Sequence, residues 1–238
     1  MGWWRSSGGD PCGDGPDDEF ARDRNALMAE IAAEAACTAE WTGRPHFDAR
    51  VMAAMAAVPR DEFVPSEARV QAWINRPLPI GYRQTISQPY IVALMTDLVA
   101  PRPDHVVLEV GTGSGYQAAV LARLVRQVYS IELVPELAQS AAERLKRLGY
   151  DNVEVRASDG ARGWPEHAPF DGIMVTAAAD AVPPALVEQL RPGGRLVIPV
   201  GGGGGQQLQV VQRTGDGGSE TRTVLPVSFV PLRERPEE

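Results

Sequence analysis

A doubly wound α/β sheet is predicted for most of this 238-residue chain by three observations. From residue 106 onward, short valine-rich runs alternate with runs of helical periodicity, the order that builds a parallel sheet with right-handed crossovers. Gly111 to Gly115 sits between the first such run and the helix after it, where open α/β sheets bind ligands. Two late runs, 207–212 and 221–230, flank a turn through Gly215, Gly217 and Gly218 and read as an antiparallel edge hairpin. Together they predict a Rossmann-like sheet, mostly parallel, with an antiparallel C-terminal edge hairpin and N-terminal helices ahead of it.

The elements follow in order. Residues 1–20 combine five glycines, two prolines and five acids against Arg5 alone, and read as a disordered acidic tail. A single domain is expected over 21–238, with a helical part over 21–104 and a sheet over 105–238. Leu27, Ile31 and Ala35 recur at helical spacing, as do Val51, Met55 and Val58 before Pro59. Residues 76–89 carry Pro77, Pro79, Gly81 and Pro89 and read as an ordered loop or extended segment. Pro89 suits the first turn of a helix reaching Val99. Strands are then expected over 106–110, 128–131, 153–155, 170–175 and 195–200. The intervening helices start near Tyr116, Pro135 and Pro183, and Gly149 lies just past the second.

Composition removes several function classes. The net charge of −8 gives no general electrostatic reason to bind nucleic acid or an anionic membrane. Cys12 and Cys37 form no framework and no zinc spacing, so a reducing cytoplasm is the plain expectation. His46, His105 and His167 are scattered, and no metal site is expected. No apolar run reaches the length of a membrane span, and the N-terminus lacks a signal-peptide core.

The glycine turn reads G-x-G-x-G, with Tyr116 where a dinucleotide fingerprint has its third glycine, which disfavours NAD; no P-loop string is present. Glu109 lies inside an apolar strand, where a carboxylate is costly without a partner. It serves either to cap nearby backbone N–H groups or to orient a cationic ligand group, and the two roles are compatible. Glu132 ends the second strand 21 residues after Gly111, the place from which an acid reaches ribose hydroxyls. Asp159-Gly160 is a favoured turn pair and, one loop further along, a candidate contact to an adenine edge. Ser87, read alone, is a turn or helix-start residue before Pro89.

One segment is more specific. Pro77-Leu78-Pro79-Ile80-Gly81-Tyr82-Arg83-Gln84-Thr85-Ile86-Ser87-Gln88-Pro89-Tyr90, with Val58-Pro59-Arg60, Phe63-Val64-Pro65, Val175-Thr176-Ala177-Ala178 and the run Leu190 to Gly201, resembles the protein-L-isoaspartate O-methyltransferase family within the class I S-adenosylmethionine-dependent methyltransferases. The likeness runs from about Phe47 to Leu232. It implies a methyltransferase sheet that binds S-adenosylmethionine, released as S-adenosylhomocysteine, and methylates isoaspartyl-containing proteins or peptides. A dedicated precursor peptide, methylated at a normal aspartate, is the alternative substrate within such families. Ser87 is implied as the active-site residue. Gln84, Thr85 and Ile86 lie over the cofactor. Glu109, Gly111, Thr112, Gly113 and Gly115 hold its methionine part, Glu132 its ribose, and Asp159 with Gly160 its adenine. Ile80, Tyr82, Arg83 and Val230 are implied on the peptide side. Three positions depart from the family pattern. Arg83 and Ser158 replace glycines, and Asn75 replaces an aspartate. The exchanges at 75 and 83 are expected to make the acceptor entrance more positive, with Arg83 available to a substrate carboxylate.

Overall fold

The computed structural model describes residues 19–202 and 204–233; the expected tail lies, apart from its last two residues, outside them. Phe20 packs against the core at the start of α1 (Ala21–Cys37), which buries Leu27, Ile31 and Ala35. A short α2 (Ala39–Thr42) ends on Gly43 at φ +67. α3 (Ala49–Ala57) is capped by the Asp48 carboxylate, which accepts from the Arg50 backbone N–H. Two 3₁₀ turns, Arg60–Phe63 and Ser66–Gln71, follow; neither was anticipated, because such short turns leave no periodic signal.

Residues 76–89 contain an antiparallel hairpin, β1 (Leu78–Gly81) and β2 (Gln84–Ile86), where the sequence suggests a loop or extended segment. Pro79 in β1 disguises it: it cannot donate to a ladder, yet is tolerated in an edge strand. α4 (Pro89–Val99) starts at Pro89 as expected. Then come β3 (Val106–Val110), α5 (Tyr116–Ala122), β4 (Gln127–Glu132), α6 (Pro135–Arg147), β5 (Val153–Ala157), β6 (Phe170–Val175), α7 (Pro184–Glu188), β7 (Leu190–Gly202), β8 (Gly205–Arg213) and β9 (Ser219–Val227).

The large sheet has the order β5-β4-β3-β6-β7-β8-β9. The first five strands are parallel and the last two pairings antiparallel, so the predicted edge hairpin is present. Its two faces are covered unequally. Val107, Val128, Met174 and Val197 pack into one core with residues of α1, α3, α4, α5 and α6. Leu108, Val110, Ile173, Val175 and Ile198 face a thinner layer with Leu186 of α7 and Trp164. Between β5 and β6 only two 3₁₀ turns, Gly160–Arg162 and Pro165–His167, cross that face. Aromatic packing closes it instead: Tyr129 lies at 3.8 Å over His167 and edge-on to Trp164 at 5.3 Å.

After β9 the chain turns back over the carboxyl ends of the strands. Phe229 donates to the Gln206 side chain at 2.6 Å and accepts from it at 3.0 Å. Ala178 donates to the Val230 carbonyl at 2.8 Å, and Leu232 donates to the Ala178 carbonyl at 2.7 Å.

Candidate active site

Strand β3 ends at the glycine turn, and the turn is shaped by its neighbours. Gly111 has φ +99, and a Cβ there would collide with the Thr176 hydroxyl. That hydroxyl donates to the Gly111 carbonyl at 2.6 Å, so the end of β6 clamps the turn. Gly113 (φ +53) leaves only 3.2 Å between a notional Cβ and Ile80 Cδ1, which brings the hairpin onto the turn. Gly115 (φ +91) packs against Leu145 of α6 and serves helix packing. Left-handed backbone at three positions within five residues is adopted without strain because glycine carries no Cβ.

Glu132 lies at the next strand end. Its Oε2 accepts from the Gly113 N–H at 2.8 Å and its Oε1 from the Val134 N–H at 3.0 Å. Both oxygens keep further lone pairs for ligand hydroxyls. Asp159 accepts from the Ala161 N–H at 3.0 Å and so starts the first 3₁₀ turn, while Gly160 reaches the cavity.

Glu109 is fully buried on the helix-covered face, opposite Ser130 in the β3–β4 register. The Ser130 hydroxyl donates to Oε2, and Thr112 lies 2.6 Å from Ser130, so a buried chain runs from the glycine turn to the carboxylate. Its hydrogen-bond partner is a hydroxyl rather than the backbone N–H groups expected of a cap. Oε1 has no partner. Desolvation pushes the Glu109 carboxyl up to about 8, opposed by the Ser130 hydrogen bond and reinforced by the nearby Glu132 charge.

One cavity runs along the carboxyl ends of the parallel strands. Of the residues expected to touch cofactor or substrate, its lining includes Tyr82, Gln84, Thr85, Ile86, Ser87, Gly111, Thr112, Gly113, Glu132, Gly160 and Val230. Ile80, Arg83, Glu109, Gly115 and Asp159 are absent from that lining. A second cavity, lined by Pro77, Gln88, Ile91, Pro226 and Phe229 among others, adjoins it. Thr85, Ser87, Thr176 and Val230 belong to both. Thr176 was quoted only as part of a matching string. Its position one residue past β6, at a carboxyl strand end, is the signal that marks it.

The departures at 75 and 83 take on different meanings. Asn75 is held within the structure rather than presented at the entrance: its amide donates to Glu34 at 2.7 Å and its carbonyl accepts from the Tyr90 N–H at 3.0 Å. It ties α1 to the start of α4, and an aspartate could not donate to Glu34. Tyr82 and Arg83 occupy the two turn positions of the hairpin at φ +51 and +59. Two positive φ values in a two-residue turn favour glycine or asparagine, so glycine would fit position 83 with less strain than arginine. Arg83 itself is exposed and lines neither cavity.

The glycine cradle and an unsatisfied buried carboxylate oxygen beneath it fit a ligand with a cationic head, and Glu132 fits ribose hydroxyls. Among the described residues no group of His, Cys, Asp and Glu is arranged to hold a metal ion.

Residues 40–237 match the family model described as protein-L-isoaspartate(D-aspartate) O-methyltransferase. Protein-L-isoaspartate O-methyltransferase 2 of Syntrophobacter fumaroxidans is 60% identical over 217 residues, 91% of this chain and 88% of its own length. Its namesake in a Polaromonas species is 59% identical over 87% of this chain and 98% of its own. A solved protein-L-isoaspartate O-methyltransferase superposes with a TM-score of 0.75 at 26% identity, over 87% of this chain and 65% of that one. A Plasmodium falciparum structure titled a putative protein-L-isoaspartate O-methyltransferase, in complex with S-adenosyl-L-homocysteine, gives 0.74 at 24% identity over 89% and 99%.

Proposed function

Because the chain belongs to the protein-L-isoaspartate(D-aspartate) O-methyltransferase family, we propose that it methylates the free α-carboxylate of L-isoaspartyl residues in damaged proteins and peptides. The observation that carries this reading is the pair of adjoining cavities that share Ser87. One has the glycine turn and Glu132 for a methyl donor, and the other has room for an acceptor chain.

S-adenosylmethionine, when bound, supplies a methyl group on a sulfonium. To a carboxylate oxygen this donor would give up its methyl group, the C–S bond breaking as the C–O bond forms and the electron pair staying on a neutral thioether. An α-carboxyl has a reference pKa of about 3.3–3.7, so the acceptor is already ionised and needs no base. No histidine is among the lining residues of either cavity. The chain's contribution is orientation and desolvation, since water blunts a carboxylate nucleophile. Ser87 donates to the acceptor carboxylate and aims one oxygen at the donor cavity. Glu132 would hold the ribose hydroxyls, and Thr112 and the glycine turn, with Glu109 behind them, would hold the methionine part. The methyl ester then converts a poor leaving group into methoxide, and the following backbone nitrogen closes a succinimide without further help. Hydrolysis of that ring returns part of the chain to normal aspartate.

No described helix is long and apolar enough to cross a membrane. Cys37 is exposed, and two cysteines make no disulfide framework, which suits a reducing compartment; we assign the chain to the cytoplasm.

Matched isoaspartyl and aspartyl peptides, offered with labelled S-adenosylmethionine, test the substrate. Label on the isoaspartyl peptide alone is expected; label only on an aspartate of one special peptide would establish the dedicated enzyme instead. Ser87→Ala is expected to lower kcat about 10–100-fold, the scale of a lost orienting contact, and to leave S-adenosylhomocysteine affinity within about twofold. Wild-type turnover in that variant removes Ser87 from the mechanism.

A further inference from the structure

Arg60 is one of the largest side chains with no exposure to solvent. Its Nε donates to the Ala72 carbonyl at 2.8 Å, and its Nη2 donates to the Ser87 carbonyl at 2.8 Å and reaches the Arg76 carbonyl at 3.5 Å. The guanidinium carbon lies 4.8 Å from the centre of the Tyr116 ring. Among the described residues Nη1 has no hydrogen-bond partner and no carboxylate pairs with this cation. Burial lowers its pKa to about 10, so it stays charged at neutral pH.

A buried guanidinium without a counter-ion is a poor way to fill a core, where apolar side chains of similar volume generally do better. What it does here is join two places. Ser87 lines both cavities, and Tyr116 lines the donor cavity at the start of α5, directly after the glycine turn. A planar fork with a fixed donor geometry spans them. In-line displacement is sensitive to ångström-scale misplacement of the reacting groups.

We propose that Arg60 is a positioning residue for methyl transfer: it fixes Ser87 against the helix that follows the glycine turn, so that donor and acceptor are held in one alignment. The proposal rests on Ser87 acting on the acceptor, as argued above. A lysine at 60 keeps the charge but cannot form the fork.

The test is a double-mutant cycle in the full chain with Arg60→Lys and Ser87→Ala, read as kcat, peptide KM and S-adenosylhomocysteine affinity by calorimetry. Arg60→Lys alone is expected to lower kcat about tenfold with peptide KM and S-adenosylhomocysteine affinity within about twofold. In the Ser87→Ala background the same exchange is expected to lower kcat less than about twofold further, as coupled positions do not add. Wild-type kcat in Arg60→Lys overturns the proposal. So does a loss of S-adenosylhomocysteine affinity in step with kcat, since Arg60 then serves the folding of the donor side. Multiplying effects in the cycle, with Ser87→Ala itself impaired, remove Arg60 and leave Ser87. Wild-type turnover in Ser87→Ala alone removes the underlying reading and the proposal with it.

Discussion

The glycine turn and the hairpin above it touch at Gly113 and Ile80, yet they are held in shape by different means. The turn is a backbone object: three glycines at positive φ, a Thr176 hydroxyl on the Gly111 carbonyl, and backbone N–H groups on Glu132. The hairpin segment is held at its base by side chains: Asn75 joins α1 to the start of α4, and Arg60 joins Ser87 to Tyr116. Its tip is two non-glycine residues at positive φ. An invariant small ligand suits a backbone cradle, which side-chain substitution cannot easily alter. A variable peptide suits a segment whose side chains can be exchanged one at a time.

The sharpest way to break this contrast is Gly111→Ala. The added methyl meets the Thr176 hydroxyl in a conformation that L side chains rarely adopt. The left-handed backbone and the lost hydrogen bond together cost about 2–3 kcal/mol. S-adenosylhomocysteine affinity, measured by calorimetry, is expected to fall about 100-fold. A loss below about threefold would show the turn to be as tolerant as the hairpin.

A smaller effect belongs to Glu109, beneath the turn. Its carboxyl is raised to about 8 by burial, so between roughly pH 4.5 and pH 8 the native chain holds a proton that the unfolded chain has released. Stability from this group is present below that window and is lost as pH rises through it. Glu109→Gln should therefore gain on the wild type more at pH 8 than at pH 5.5, as read by urea unfolding at the two values. An equal difference at both would mean that Glu109 is ionised throughout.

The smallest effect is expected at the hairpin tip. Arg83→Gly relieves a left-handed arginine but adds freedom to the unfolded chain, so the gain in stability is held to about 0.5–1 kcal/mol. Peptide KM is expected to stay unchanged, because Arg83 lines neither cavity. A raised KM for isoaspartyl peptides would restore Arg83 as a carboxylate contact.

The same contrast separates what could be read from residues alone. Strand–turn–helix order, Glu132 at a strand end and the C-terminal hairpin follow from periodicity and spacing, because each is a local rule. Ser87 could be singled out only through resemblance, since a serine before proline has the form of any helix start. Asn75 and Arg60 escaped because their partners, Glu34 and Tyr90 or Ala72, Ser87 and Tyr116, are brought to them by tertiary packing. The unequal sheet faces escaped because Tyr129, His167 and Trp164 replace a helix with an aromatic cluster that has no period.

The return of the chain over Ala178 has a consequence for biosynthesis. Val230 walls both cavities, but its carbonyl is anchored on Ala178, a partner made about 50 residues earlier. At about 5–20 residues per second that gap is roughly 3–10 s of translation. A nascent chain therefore has its glycine turn and Glu132 in hand well before the wall that separates donor from acceptor can form. Any ligand captured in that interval meets a half-site, because Val230 completes the wall of both cavities.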